Sequence, residues 1–209
     1  MPNFHEAVEY LLGNEGGFFE DPVTGEVSNY GISLRWLKTI QPKATAMTIR
    51  LLTRTDAIHL YQAYWWTRYR IFMIPRDRVA TKLLDTCVNI GAHTGVKILQ
   101  ATLNEPITTP AGRIAVDGLI GPHTARAVTR DCGFPDGEYG LLAAFCVNLG
   151  DYYREVAALN PELVKYLPGW EQRAEELPGV TSSPKPSQRP AGVPRLEDLN
   201  FRSPLVGKI

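Results

Sequence analysis

The chain has 209 residues, 44% of them hydrophobic and 21% charged, with 22 basic side chains against 22 acidic ones. A chain of this length buries roughly 70% of its unfolded surface without staples, and its longest apolar runs, such as Leu141 to Phe145, are far too short to cross a bilayer. The balanced charge excludes a strong bulk field, so neither a nucleic-acid partner nor stable membrane insertion is expected.

In chain order, Phe4, Val8, Leu11 and Leu12 share one helical face, and Gly16-Gly17 ends this first helix near Glu15. From Phe18 to Gly31 the pattern changes to Asp21-Pro22, Thr24-Gly25 and Tyr30-Gly31 with Phe, Val and Ile between them, which predicts short strands joined by tight turns. Ser33 is a good N-cap. After it, helices are predicted over 34–40, 54–69, 76–91, 94–104, 122–130, 138–159 and 169–177, with stops at Gly91, Pro161 and Pro168. Residues 105–121, rich in Pro and Gly, read as a loop with room for a hairpin. Beyond Leu177 frequent Pro, Ser and charge leave little to bury, so an extended or disordered tail is expected, with docking through Leu196, Leu199, Phe201 and Leu205 as the alternative. The expected fold class is mainly α with a small β-hairpin lobe near the N-terminus.

Cys87, Cys132 and Cys146 have no CxxC spacing and read as reduced core thiols. His5, His59, His93 and His123 show no HExxH or paired spacing, and there is no GxSxG or Walker loop, so no metal and no cofactor are expected. Met1 to Leu12 carries Glu6 and Glu9 where a secretory signal needs a basic start and an apolar stretch, which predicts synthesis in the cytosol.

Glu15 follows Leu11 by four residues and Val8 by seven, so a continuing helix brings it out on the apolar face. Desolvation there disfavours the charged form, as a general acid requires near neutral pH. Gly16 and Gly17 remove side-chain bulk and let a ligand approach. The plain alternative is an ordinary helix end.

The run Asn14-Glu15-Gly16-Gly17-Phe18, then Asp21-Pro22, then Ser28-Asn29-Tyr30-Gly31-Ile32-Ser33, resembles the N-terminal signature of the glycoside hydrolase family 108 muramidases, relatives of the lysozyme superfamily common among phage endolysins. The resemblance implies a lysozyme-like fold and places Glu15 as the catalytic acid, at the end of a helix facing a small sheet. A second block looks like the predicted peptidoglycan-associated region of these enzymes. It comprises Asp85, Val88-Asn89-Ile90-Gly91, Leu99-Gln100, Leu103, Val116-Asp117-Gly118, Ile120-Gly121-Pro122 and Thr124. Tyr166-Leu167, Gly169-Trp170 and Arg173 are similar to its closing GWxxR element. The expected organisation is a catalytic segment over 1–75, a helical peptidoglycan-associated segment packed on it over 76–177, and a Pro-rich tail over 178–209.

Where many relatives carry an Asp and shortly after it a Thr, this chain reads Thr24 and, across a shorter turn, Ser28. The second catalytic group is therefore open: Ser28 is preferred as holder of the attacking water, with Glu26 as the substitute carboxylate and Asp21 a poorer candidate. Tyr30 is expected to stack on a sugar ring or to pack the hairpin. Asp85 and Asn89, four residues apart, share a helical face that either meets substrate amides or bridges helices. Tyr61, Tyr64, Trp65, Trp66 and Tyr69 read as core packing, and Arg68, Arg70, Arg76 and Arg78 as a solvated helix end with wall contact as the alternative.

The expected activity is that of a monomeric peptidoglycan hydrolase cutting between N-acetylmuramic acid and N-acetylglucosamine, with no cofactor. The resemblance implies phage lysis, in which the enzyme reaches the wall after the membrane is opened. A lytic transglycosylase forming 1,6-anhydro ends, and a non-catalytic wall-binding or virion protein, are the alternatives.

Overall fold

A computed structural model describes residues 1–22, 25–106 and 112–179; Thr24, part of the loop at 105–121 and the tail from residue 180 lie outside the described residues. Asn3 caps α1 (Phe4–Asn14) by accepting from the His5 and Glu6 N–H groups, and Ala7, Val8 and Leu11 are buried on the predicted face. A three-stranded antiparallel meander follows: β1 (Phe19–Glu20), β2 (Val27–Asn29) and β3 (Ile32–Ser33), with Phe19 opposite Ser28 and Ser28 opposite Ser33. Tyr30 and Gly31 form the two-residue turn between β2 and β3, with φ of 49° and 74°. Both residues at positive φ match the right-handed twist of the strands. Glycine adopts this conformation freely; tyrosine does not.

Ser33 then caps α2 (Leu34–Ile40), its hydroxyl accepting from Trp36 N–H at 3.1 Å. α3 (Ala46–Arg50), which the sequence pattern did not reveal, starts at a reciprocal cap between Thr45 and Thr48. The predicted helix at 54–69 divides into α4 (Arg54–Tyr61) and a π-helical turn (Gln62–Thr67). α5 (Asp77–Ile90) is the central helix, buried without interruption from Val79 to Ile90, as expected of a helix packed on all sides. α1, α6 (Ala92–Asn104) and α8 (Gly137–Leu159) pack against it. α7 (Pro122–Asp131) packs beside α6 and α8.

Pro161 follows the end of α8 at Leu159, as predicted, and both it and Pro168 also act as initiators. Pro161 opens a 3₁₀ turn (Pro161–Tyr166) and Pro168 sits in the first turn of α9 (Leu167–Glu175), where a missing N–H leaves no hydrogen bond unmade. Among the described residues, 112–121 form no strand. The cysteines are free, but only Cys87 lies in the core; Cys132 and Cys146 are half-buried. No helix of the described residues is long and apolar enough to cross a membrane.

Candidate active site

Glu15 is the residue at which α1 stops, its backbone extended at φ −94° and ψ 141° while its N–H still bonds Leu11 O. Its side chain is only 1% exposed. Beyond it, a side chain placed on Gly16 or Gly17 would meet nothing within 4 Å, so packing does not demand these glycines, and they border open space.

Desolvation is only half of what acts on Glu15. The Arg173 guanidinium, from α9, donates from Nη2 to Glu15 Oε1 at 2.9 Å. The same guanidinium grips Asp85 of α5 with two bonds, Nη2 to Oδ1 at 2.8 Å and Nε to Oδ2 at 3.1 Å. Asn14 Nδ2 adds a bond of 3.3 Å to Asp85 Oδ1. Burial works against the charge on Arg173, but the carboxylates of Asp85 and Glu15 outweigh it and hold the guanidinium well above its ordinary pKa. Lys82, one turn before Asp85, donates from Nζ to the carbonyls of Arg173 and Glu176, each at 2.7 Å, and so ties down the end of α9. Burial pushes its ammonium pKa down, with Asp85 opposing.

Asn89, one turn beyond Asp85, is also buried, and its Nδ2 bonds the Tyr153 hydroxyl at 2.6 Å. Tyr153 in turn stacks on Trp170, with ring centroids 5.6 Å apart. The two polar residues of α5 thus both engage protein partners, Asp85 directly beside Glu15 and Asn89 toward α8.

On the sheet, Val27 and Asn29 are buried while Ser28 is half-buried. The two-residue period therefore puts Ser28 and Glu26 on the same opposite face of β2. Glu26 Oε1 accepts from the Arg35 N–H at 3.0 Å, in the first turn of α2, where a helix favours a carboxylate. Asn29 Nδ2 bonds the carbonyls of Ile49 and Leu52, each at 3.2 Å, and pins the sheet to α3 and its exit. Tyr30 is half-buried, and its carbonyl accepts from the Tyr61 hydroxyl at 2.8 Å.

Arg173 is the site residue that sequence reasoning did not assign. The GWxxR pattern marked it, but nothing in that pattern says its charge travels to Glu15, 158 residues away. Among the described residues, no group of three or more His, Cys, Asp or Glu is arranged to hold a metal ion.

A mainly helical body, a small antiparallel lobe and a buried acid at the end of the first helix define a lysozyme-like fold. Residues 8–91 match the family described as Glycosyl hydrolase 108, and residues 94–175 match the Predicted Peptidoglycan domain. The chain thus carries a segment that matches glycosyl hydrolase 108, followed by one that matches a peptidoglycan domain. The solved structures it resembles include that of Brucella abortus SagA, with a TM-score of 0.60 at 22% identity over 82% of this chain and 92% of that one. No curated protein sequence matches it. The two family matches make it a peptidoglycan hydrolase of the glycosidase class.

Proposed function

We propose that the chain is an N-acetylmuramidase that cuts the bond between N-acetylmuramic acid and N-acetylglucosamine, with Glu15 as the general acid. The observation that carries this reading is the sharing of one buried guanidinium by two carboxyl groups. A buried set of one cation and two acids is neutral only when one acid holds a proton, and burial favours the neutral set. Asp85 takes the bidentate grip that best stabilises a carboxylate. Arg173 reaches Glu15 with one bond where it gives Asp85 two, and the glycines that follow border open space, so Glu15 is the acid placed to carry that proton to a departing sugar.

Ser28 would position the attacking water and Glu26 is the second candidate, both from one face of β2. Tyr30 would meet a sugar face at the turn beside them, while Asp85 and Asn89 support the cleft from α5. The likeness to phage endolysins supports a role in host lysis, with synthesis in the cytosol and action on the wall after release. The engagement of Glu26 at the start of α2 favours one second reading, a transglycosylase that needs a single acid and no water. Only hydrolysis incorporates labelled water into the reducing end.

Glu15→Gln keeps an acceptor for Arg173 and removes the proton. Clearing of purified walls is expected to fall by about 10² to 10⁴-fold, with an unchanged circular dichroism spectrum. Full activity in this variant would refute the assignment.

A further inference from the structure

A cavity of about 310 Å³ opens between α2, the π-helical turn and the corner joining α5 to α6, lined among others by Trp36, Thr39, Tyr64, Arg68, Tyr69 and His93. Two of its lining residues lie a few residues along the chain from candidate site residues or their strand partners. Gly91 lines it, six residues beyond Asp85 and about 9 Å further along the α5 direction. On the other side Trp36 lines it, three residues after Ser33, the β3 partner of Ser28.

The lining is of mixed chemistry. The Trp36 ring is half-buried, backed by Trp65 at 4.4 Å and met edge-on by Tyr64 at 5.6 Å. Arg68 is exposed at the rim, with its guanidinium 6.0 Å from the Tyr69 ring centre. His93 is seated against Gly118: at φ +74° that residue has no Cβ, and one built there would stand 2.3 Å from His93 Nδ1. The π-helical turn that presents Tyr64 and Trp65 is a departure from regular helix that is frequent at functional sites. Aromatic faces bordered by a guanidinium, an imidazole and a hydroxyl suit a ring with apolar C–H faces and a rim of hydroxyl and acetamide oxygens. Core packing accounts for Trp65 and Trp66, which are buried, but not for this exposed rim.

We propose that this cavity is a glycan subsite, holding an N-acetylated sugar of the same peptidoglycan strand away from the bond being cut. The proposal rests on the muramidase reading for its substrate, and its test separates the two. Glu15→Gln protein is titrated with N-acetylchitotetraose by calorimetry, alone and combined with Thr39→Trp, which fills the cavity from its exposed rim, or with Arg68→Ala, which removes a donor. Each second substitution is expected to weaken binding about tenfold, the loss of one stacked ring or one charged hydrogen bond. With Glu15 intact, each should raise KM on purified wall glycan and leave kcat in place. Unchanged binding and KM in both variants, with native circular dichroism, would overturn the proposal, as would absence of any heat from the unmodified cavity. A Glu15→Gln protein that still cleaves strikes the acid assignment instead, and the tetrasaccharide titration then still decides the cavity.

Discussion

The cluster at Glu15 and the loop around Gln100 are both ordered by buried polar groups, Gln100 and Thr124 in the second, yet they follow different rules. At Glu15 a guanidinium and two carboxyl groups from α1, α5 and α9 meet in a space nearly closed to water. At Gln100 the group at the centre is a neutral amide. Its Nε2 donates to Asp117 Oδ1 at 2.9 Å, Leu119 O at 3.0 Å and Thr124 Oγ1 at 3.3 Å, while its Oε1 accepts from Gly118 N–H at 2.8 Å. These are the residues of the Gln100, Asp117-Gly118 and Thr124 motif, and they spend their hydrogen bonds on one another. The knot at Gln100 is centred on a neutral amide, keeps its one carboxylate, Asp117, at the exposed edge, and shapes a loop. The charged knot holds a guanidinium between two acids in a space nearly closed to water, where an unpaired charge is costly.

Breaking the charged knot carries the largest expected effect. Arg173→Met leaves two buried carboxyls without their cation and should cost about 3–5 kcal/mol in urea denaturation at pH 7. The sign with pH follows from linkage. Without the guanidinium, the folded carboxyls bind protons more tightly than the unfolded ones, whose pKa values are about 4, so the variant loses stability as pH rises through and above that range. In the parent protein the cation opposes this. The deficit between the two should therefore shrink as pH falls from 7 to 4; an equal deficit at both would show that the knot is held by packing and not by charge.

Gln100→Ala sharpens the contrast from the neutral side. It removes an amide whose partners include the Gly118 N–H, and leaving such groups unsatisfied costs about 1–3 kcal/mol. Asp117 also bonds the Leu119 N–H; its carboxyl pKa is held below the usual value first by the Gln100 amide. Because Asp117 stays ionised at neutral pH with or without that bond, the loss from Gln100→Ala should be the same at pH 6 and pH 8, measured by the same denaturation. A marked difference between those two pH values would join the two knots into one electrostatic system.

What the sequence revealed depended on how local the cause was. Glu15 was legible because the period of one helix carries it from Leu11 to the buried face, and the turn at Tyr30-Gly31 because two adjacent residues define it. α3 was not, since five residues hold too little periodicity and its cap uses Thr48 where a longer side chain is the usual signal. Pro161 and Pro168 mark boundaries, but a proline does not say on which side of it the helix lies. The break at Gln62 has no composition at all, being a shift of hydrogen-bond register within a run that looks uniformly helical. The pairing of Glu15 with Arg173 lay furthest from reach, because only the packing of α9 onto α8, and the hold of Lys82 on its last turn, brings that guanidinium to the end of α1.

The smallest expected effect on stability lies at the turn between β2 and β3. Tyr30 holds φ 49°, a left-handed conformation that costs a residue other than Gly or Asn about 1 kcal/mol. Its half-buried ring regains about as much by packing against the core. Tyr30→Asn relieves the first, forfeits the second and leaves the backbone carbonyl for the Tyr61 hydroxyl, so the unfolding free energy should move by less than about 1 kcal/mol. If the ring meets a sugar, KM on wall glycan rises in the same protein while the fold stays whole. If KM holds and stability drops by more than about 2 kcal/mol, the tyrosine is there to pack the turn, and the strain at this position serves the sheet and not the substrate.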